Sequence, residues 1–287
     1  MNLLEASFGF GLVTAAVLSI AAVGFTMQFA VTDVLNLAYG AVMIVAAYAA
    51  YALNHAGVTI WVGVLAAALV GVVLSVALNT FIYTPFQRRA SPIAVVIVAL
   101  GMLLILEFGL QAIVGGTNVS YSLNEGSTLK AGGLRLTVQQ VAIIGIAIAA
   151  MVGVHGLLRY TRLGKAMRAT AANGSLARNC GIRTGRVVTT TWILTGALCG
   201  LAGAVFAMDS GSFGATSTDL FLVLILAAVF LGGPGQPYGA MLGAILIGLG
   251  TEVSAAYITP SYKDVVAFVL LLVMLALRPT GILGVRT

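Results

Sequence analysis

Long apolar runs separated by short polar breaks set the pattern of this chain. Nine can be drawn, at 8–29, 34–53, 58–82, 93–114, 138–158, 188–208, 219–232, 238–257 and 265–278. Within each run the apolar positions are continuous rather than alternating, which predicts helices and not the strands of a barrel. A helix needs about 20 predominantly apolar residues to cross the hydrocarbon core. The seventh and ninth runs fall short of that, so they either borrow flanking residues or are half-helices. The pattern predicts an all-α fold: a polytopic transmembrane helical bundle of about eight to ten spans.

Composition supports lipid as the solvent. Of 287 residues, 60% are hydrophobic and 8% are charged, against roughly a quarter charged in a soluble domain. Mean hydropathy is +1.09. In lipid every backbone group must be satisfied internally, which leaves helices as the answer for runs of this kind. The whole chain, 1–287, reads as one transmembrane domain. Its first run follows Glu5 with no basic flank, and reads as a retained helix rather than a signal peptide.

Charge gives an orientation. Eleven of the 14 lysines and arginines fall in three segments: Arg88 and Arg89; then Arg159, Arg162, Lys165, Arg168, Arg178, Arg183 and Arg186; then Arg278 and Arg286. Those segments hold no acidic residue. The alternate loops carry Glu125, Lys130, Arg135, Asp209, Asp219, Lys263 and Asp264. By the positive-inside rule, nine spans with the N-terminus outside and the C-terminus inside fit this asymmetry. The net charge of +6 is therefore a topology signal, and nothing in the chain resembles a nucleic-acid-reading element.

Glycines lie within or beside the spans, as expected of membrane helices that approach closely. Gly196, Gly200 and Gly203 line a face of the sixth run, and Gly239, Gly243 and Gly250 follow the eighth. Tyr39-Gly40-Ala41-Val42-Met43 and Tyr238-Gly239-Ala240-Met241-Leu242 each open an apolar helix after a break, a five-residue likeness compatible with an internal repeat or with coincidence.

Enzyme signatures are missing. There is no phosphate-binding GxxxxGK[ST] loop, no HExxH and no GxSxG elbow. The two cysteines, Cys180 and Cys199, have neither metal nor redox spacing. No catalytic group, metal site or cofactor site is expected.

The segment at about 159–187 is the most informative. Gly164 can open a helix that includes Lys165 and Arg168, with an Ala-rich body ending at Asn173-Gly174. Ser175 can cap a second short helix ending at Gly181. Two short helices with an elbow make a knob outside the membrane, which suits docking better than a plain charged linker does.

This segment, from Arg162-Leu163-Gly164-Lys165-Ala166-Met167-Arg168-Ala169 through Asn173 to Gly181-Ile182, resembles the cytoplasmic coupling loop of LivH-type permeases of branched-chain amino acid ABC importers. Leu35-Asn36-Leu37-Ala38-Tyr39-Gly40 is similar to the family's Asn-Phe-Ala-His-Gly segment. Gly232-Gly233-Pro234-Gly235 with Gly239-Ala240 is similar to its glycine-rich turn, and Arg278-Pro279-Thr280-Gly281-Ile282-Leu283-Gly284 fits its ending. The resemblance implies a permease subunit that pairs with a second, homologous or identical, permease in the bacterial inner membrane. It implies two cytoplasmic ATPase subunits that use ATP and magnesium, and a periplasmic solute-binding protein. The chain itself would bind no cofactor.

Two departures bear on the cargo. The family's His-Gly-Glu is Tyr39-Gly40-Ala41 here, and the serine of its glycine-rich turn is Gln236. Branched-chain amino acids and related small solutes such as amides or urea thus stay open. Candidate pathway residues are Asn36, Tyr39, Gly40, Glu107, Gly233, Gly235 and Gln236. An ionisable group at membrane depth, as Glu107 is, is a functional candidate by default, with a structural hydrogen bond as the alternative. The break at Thr32 to Asn36 reads either as a gate element approaching the glycine-rich turn or as a turn capping the second helix. The rival function is a stand-alone secondary transporter or channel, for which Glu107 and Glu252 would have to supply the ion site.

Overall fold

The computed structural model describes residues 3–87, 91–122, 128–131, 134–257, 262–278 and 280–284. Arg88, Arg89, Glu125 and Arg286 lie outside them. All nine apolar runs are helical: α1 (Leu3–Thr32), α2 (Tyr39–His55), α3 (Ile60–Ala77), α5 (Pro92–Val114), α6 (Val138–Tyr160), α9 (Thr184–Ser210), α10 (Asp219–Gly232), α11 (Pro237–Tyr257) and α12 (Lys263–Leu277). α3 runs on through a π-helical turn, Leu78–Tyr83, into α4 (Thr84–Gln87). Between α6 and α9 stand two short helices, α7 (Arg162–Ala172) and α8 (Gly174–Asn179).

One element was not expected. Between α5 and α6 an antiparallel hairpin pairs β1 (Thr128–Ala131) with β2 (Leu134–Thr137). Thr137 then caps α6: its hydroxyl accepts from the Gln140 amide at 3.3 Å while the Gln140 side chain accepts from the Thr137 amide at 3.0 Å. This reciprocal box satisfies two amides that a helix start leaves open.

Six helical stretches are long and apolar enough to cross a membrane; α10 and α12 are shorter. α1 is the axis of the bundle, with every residue from Val17 to Gln28 buried. A helix buried on all sides must be apolar all round, and this stretch is apolar but for Ser19, Thr26 and Gln28. α3 and α9 pack backbone against backbone at their glycines. A β-carbon at Gly71 would strike the backbone of Gly196 and Gly200, and one at Gly200 would strike that of Ala67. With no hydrophobic drive between helices in lipid, such backbone contact is a principal source of cohesion.

The seventh run was expected to be short, and α10 is. The second is also incomplete. The Tyr39 carbonyl, at the start of α2, accepts from the thiol of Cys199 at 3.3 Å, a little past the middle of α9. The Thr218 hydroxyl, just before α10, donates to the Gly40 carbonyl at 3.0 Å. α2 and α10 therefore begin side by side in the depth of the bundle. Residues 33–38 lead in from the face that carries α7 and α8, and residues 211–218 lead in from the opposite face. Non-helical backbone at such depth is tolerated only when protein surrounds it. Val34, Asn36 and Ala38 on one side and Phe213, Ala215 and Thr218 on the other are all buried.

The Tyr-Gly-Ala likeness does not mark equivalent places. Tyr39 opens a half-helix in the core at 1% exposure, whereas Tyr238 opens α11 at 42%.

Candidate functional site

Two regions bring the candidate residues together: the α7–α8 knob and the break between α1 and α2.

The knob is built by its caps. Thr161 accepts from the Gly164 amide at 3.0 Å and starts α7, so the helix begins at Arg162, earlier than Gly164. Gly164 has another task. A β-carbon there would overlap the Leu157 and Leu158 backbone, so glycine is what lets α7 fold back against the end of α6. Gly164, Met167 and Thr170 face inward, while Arg162, Lys165 and Arg168 are exposed. The elbow is capped by Asn173 rather than Ser175. The Asn173 side-chain Oδ1 accepts from the Leu176 amide at 2.9 Å and from the Ser175 hydroxyl at 2.7 Å. Gly174 opens α8. At its other end Gly181 takes φ +84°, with its amide on the Arg178 carbonyl at 3.0 Å and the Ile182 amide on the Ala177 carbonyl at 3.0 Å. That is the paired closure of a Schellman end, which demands a left-handed residue.

The break is a buried polar network. Asp33 takes φ +54°, where the chain leaves α1. Gln87 holds the Thr32 carbonyl at 3.0 Å. Asn36, 2% exposed, accepts from the Tyr83 phenol at 2.6 Å and donates to the Gln28 side chain at 3.5 Å. Tyr83 stacks on Trp192 with ring centres 5.3 Å apart. The π-turn that carries Tyr83 thus ties the end of α3 to the break and, through Trp192, to α9. π-turns recur at functional sites. Gln28 Nε2, Tyr39 Oη and Trp192 Nε1 are buried here without a hydrogen-bond partner among the described residues. Tyr39 sits edge-on to Phe25 at 5.5 Å.

The glycine-rich turn lies against α1 too, but on another side. The Gly235 amide donates to the Thr26 hydroxyl at 3.1 Å, and Gly235 packs by Ala30. Thr26 and Gln28 are two residues apart, about 200° around a helix, so Gly235 and Asn36 flank α1 on opposite faces. Gly233 (φ +106°) and Gly235 (φ +80°) need glycine's conformational freedom. Gln236 is half-buried, its amide on the Gly233 carbonyl at 3.1 Å. The segment 280–284 docks here: the Ile282 and Leu283 amides bond the Leu231 and Gly232 carbonyls at 2.9 and 3.1 Å.

Glu107 lies away from the knob, beside the junction where α2 and α10 begin. It is 2% exposed on α5, its Oε1 has no hydrogen-bond partner among the described residues, and its carboxyl faces that of Asp219 at the start of α10. No group of three or more metal-ligating side chains occurs among the described residues.

Between α7, α8, α9, α4 and the end of α1 lies a polar cavity of about 880 Å³, lined by Thr32, Asp33, Asn79, Gln87, Asn173 and Arg178 among others. The cavity lies between the knob and the break, while α7 packs against both α1 and α9. Tyr83, Trp192, Cys199 and Thr218 escape a reading of the sequence, because no spacing rule links them to Asn36 or Gly40. The one signal was that Asn36 needed partners.

Residues 7–275 match the family described as branched-chain amino acid transport system, permease component. The chain is 30% identical to the high-affinity branched-chain amino acid permease LivH of Escherichia coli K12, covering 96% of this chain and 93% of that one. It is 27% identical to BraD of Pseudomonas aeruginosa, over 96% and 94%. The galactofuranose permease YtfT of Escherichia coli is 27% identical over 92% and 77%. Among solved structures, PsaBC from Streptococcus pneumoniae in complex with Fab shares the fold, with a TM-score of 0.52 at 15% identity over 93% of this chain and 90% of that one.

Proposed function

Because this chain belongs to the family of branched-chain amino acid permease components, we propose that it pairs with a second permease subunit, homologous or identical, to carry branched-chain amino acids across the bacterial inner membrane. Its N-terminus lies outside and its C-terminus inside, so the knob faces the cytoplasm. Two ATPase subunits dock there and hydrolyse ATP with magnesium; a periplasmic binding protein delivers cargo to the opposite face. This chain binds no cofactor and makes no covalent bond. Its work is mechanical.

The observation that carries the reading is the knob. Two short helices with built caps at both ends, an apolar side turned inward and Arg162, Lys165 and Arg168 turned out, form a rigid protrusion on the basic face. Movement of the knob reaches the core by two covalent routes: back along α6 and onward along α9. α9 carries Trp192 and Cys199, which touch Tyr83 and Tyr39. A lever on α9 thus acts on the place where both half-helices begin. Broken helices of this kind form the gates and sites of many transporters.

The test is reconstitution in liposomes with candidate ATPase subunits and a candidate solute-binding protein. Accumulation of labelled leucine that requires enclosed ATP and the binding protein is the expected result. Leucine flux of the same size with the permease alone would instead establish the channel or secondary-transporter reading.

A further inference from the structure

Opposite the knob, a second cavity of about 370 Å³ opens among α1, α9, α10, α11 and α12. Its walls are of two kinds. Phe10, Val17, Phe206, Phe221, Leu220 and Leu224 are apolar; Asp209, Glu252, Lys263, Thr14, Ser210 and Ser217 are polar. We infer that this cavity is a binding site for a zwitterionic aliphatic amino acid, reached before the half-helices; the inference rests on the transport reading above.

The chemistry is specific. Lys263 is paired with Glu252, and Glu252 is fixed in turn by the Thr14 hydroxyl at 2.8 Å. Asp209 lies in the field of both, yet its carboxylate has no hydrogen-bond partner among the described residues. The cavity thus holds one cation and two carboxylates, with an acceptor left over. An α-ammonium group satisfies Asp209, and an α-carboxylate takes the face of Lys263 that Glu252 leaves open, beside the hydroxyl of Ser210. The aliphatic side chain then points at the phenylalanines and leucines. A volume of a few hundred Å³ with an apolar wall and convergent polar groups is the mark of a small-molecule site, and here the two kinds of lining are evenly divided. The cavity's floor is the run from Ser217 into α10, so an occupant touches the element whose start meets Gly40.

The arrangement also sets selectivity. A sugar or an amide lacks one or both charges and would leave Asp209 or Lys263 short of a partner. Asp209 is exposed at the cavity mouth and Lys263 and Glu252 are part-buried, so discrimination comes from the two ion pairs a zwitterion can make at once and not from a penalty on buried charge.

A cysteine-protection experiment tests this. Ser210→Cys is placed in a Cys180→Ser background, where the remaining Cys199 is buried, and the permease is held in nanodiscs. The rate of maleimide labelling is measured with L-leucine, with leucinamide, which lacks the carboxylate, and with 4-methylpentanoate, which lacks the ammonium. Leucine should slow labelling several-fold, and the two analogues clearly less. Lys263→Met should raise the half-protecting concentration of leucine about tenfold or more and leave that of leucinamide unchanged. Asp209→Asn should do the converse with 4-methylpentanoate. Equal protection by all three compounds would reduce the cavity to an apolar slot and overturn the assignment. So would ready labelling of the Ser210→Cys variant that no amino acid slows. ATP-driven leucine uptake by the wild-type assembly separates the two ideas: uptake without protection sinks the cavity alone, and no uptake sinks the transport reading.

Discussion

α8 exists only because of its ends, and removing them should melt it. A helix of six residues has almost no intrinsic stability, since nucleation is unfavourable and propagation has no length over which to recover it. Two features hold it: the Asn173 side chain on the Leu176 amide at 2.9 Å, and Gly181 at φ +84° with the paired closure onto Arg178 and Ala177. Asn173→Ala removes a cap, at a cost of about 0.5–2 kcal/mol. Gly181→Ala forces a β-carbon into the left-handed region, at about 1–2 kcal/mol. Both act on one cooperative turn, so the double variant should lose roughly 2–3 kcal/mol of local stability. At 1.4 kcal/mol per factor of ten, the amides of Leu176, Cys180 and Ile182 should exchange with deuterium about tenfold faster in either single variant. In the double variant the factor should approach a hundred. α9 lies beyond the cap and should keep its protection. Hydrogen exchange by mass spectrometry in nanodiscs reads this directly. Unchanged exchange across 174–182 in the double variant would refute the claim that the caps build the knob.

Three further outcomes follow from the same structure. Tyr83→Phe strips Asn36 of its 2.6 Å donor and leaves a buried acceptor open, which should destabilise the permease by about 1–3 kcal/mol; a thermal unfolding midpoint equal to wild type would count against the network. Gly200→Leu should part α3 from α9, because the added β-carbon meets Ala67 backbone that cannot rotate away; a loss of at least about 1–3 kcal/mol should appear as poor yield and early thermal aggregation, while Gly153→Leu, where nothing lies nearby, should be tolerated. Cys180 is exposed and Cys199 buried, so a membrane-impermeant thiol reagent should label Cys180 only after the cytoplasmic face is opened; labelling of intact cells would reverse the proposed orientation.

The helices were legible because lipid enforces them: an apolar run long enough to span has few other fates. Depth was not. The apolar run of α2 reads the same whether it starts at a membrane surface or in mid-bundle, and only the bonds from Thr218 and Cys199 to its first residues show which. Those partners lie in the second half of the sequence, beyond the reach of any local pattern. The knob was half legible. Gly181 stood where a helix end needs it, and Asn173 marked the elbow. Asn173 and Ser175 are both good caps, however, and the sequence cannot say which one reaches Leu176. The second cavity draws Asp209, Glu252 and Lys263 from three helices. Glu252 stood out as an intramembrane charge, while the other two looked like loop residues.

The central claim is that transport energy enters through α7 and α8. Its most direct test is the ratio of leucine taken up to ATP hydrolysed in the reconstituted transporter, for wild type and for Lys165→Glu with Arg168→Glu. Both side chains are exposed on the knob, so the variant should insert and fold normally. The account predicts that hydrolysis persists near its basal rate while uptake falls to background, taking the ratio toward zero. A wild-type ratio in the reversed-charge variant would contradict it and leave the knob a linker.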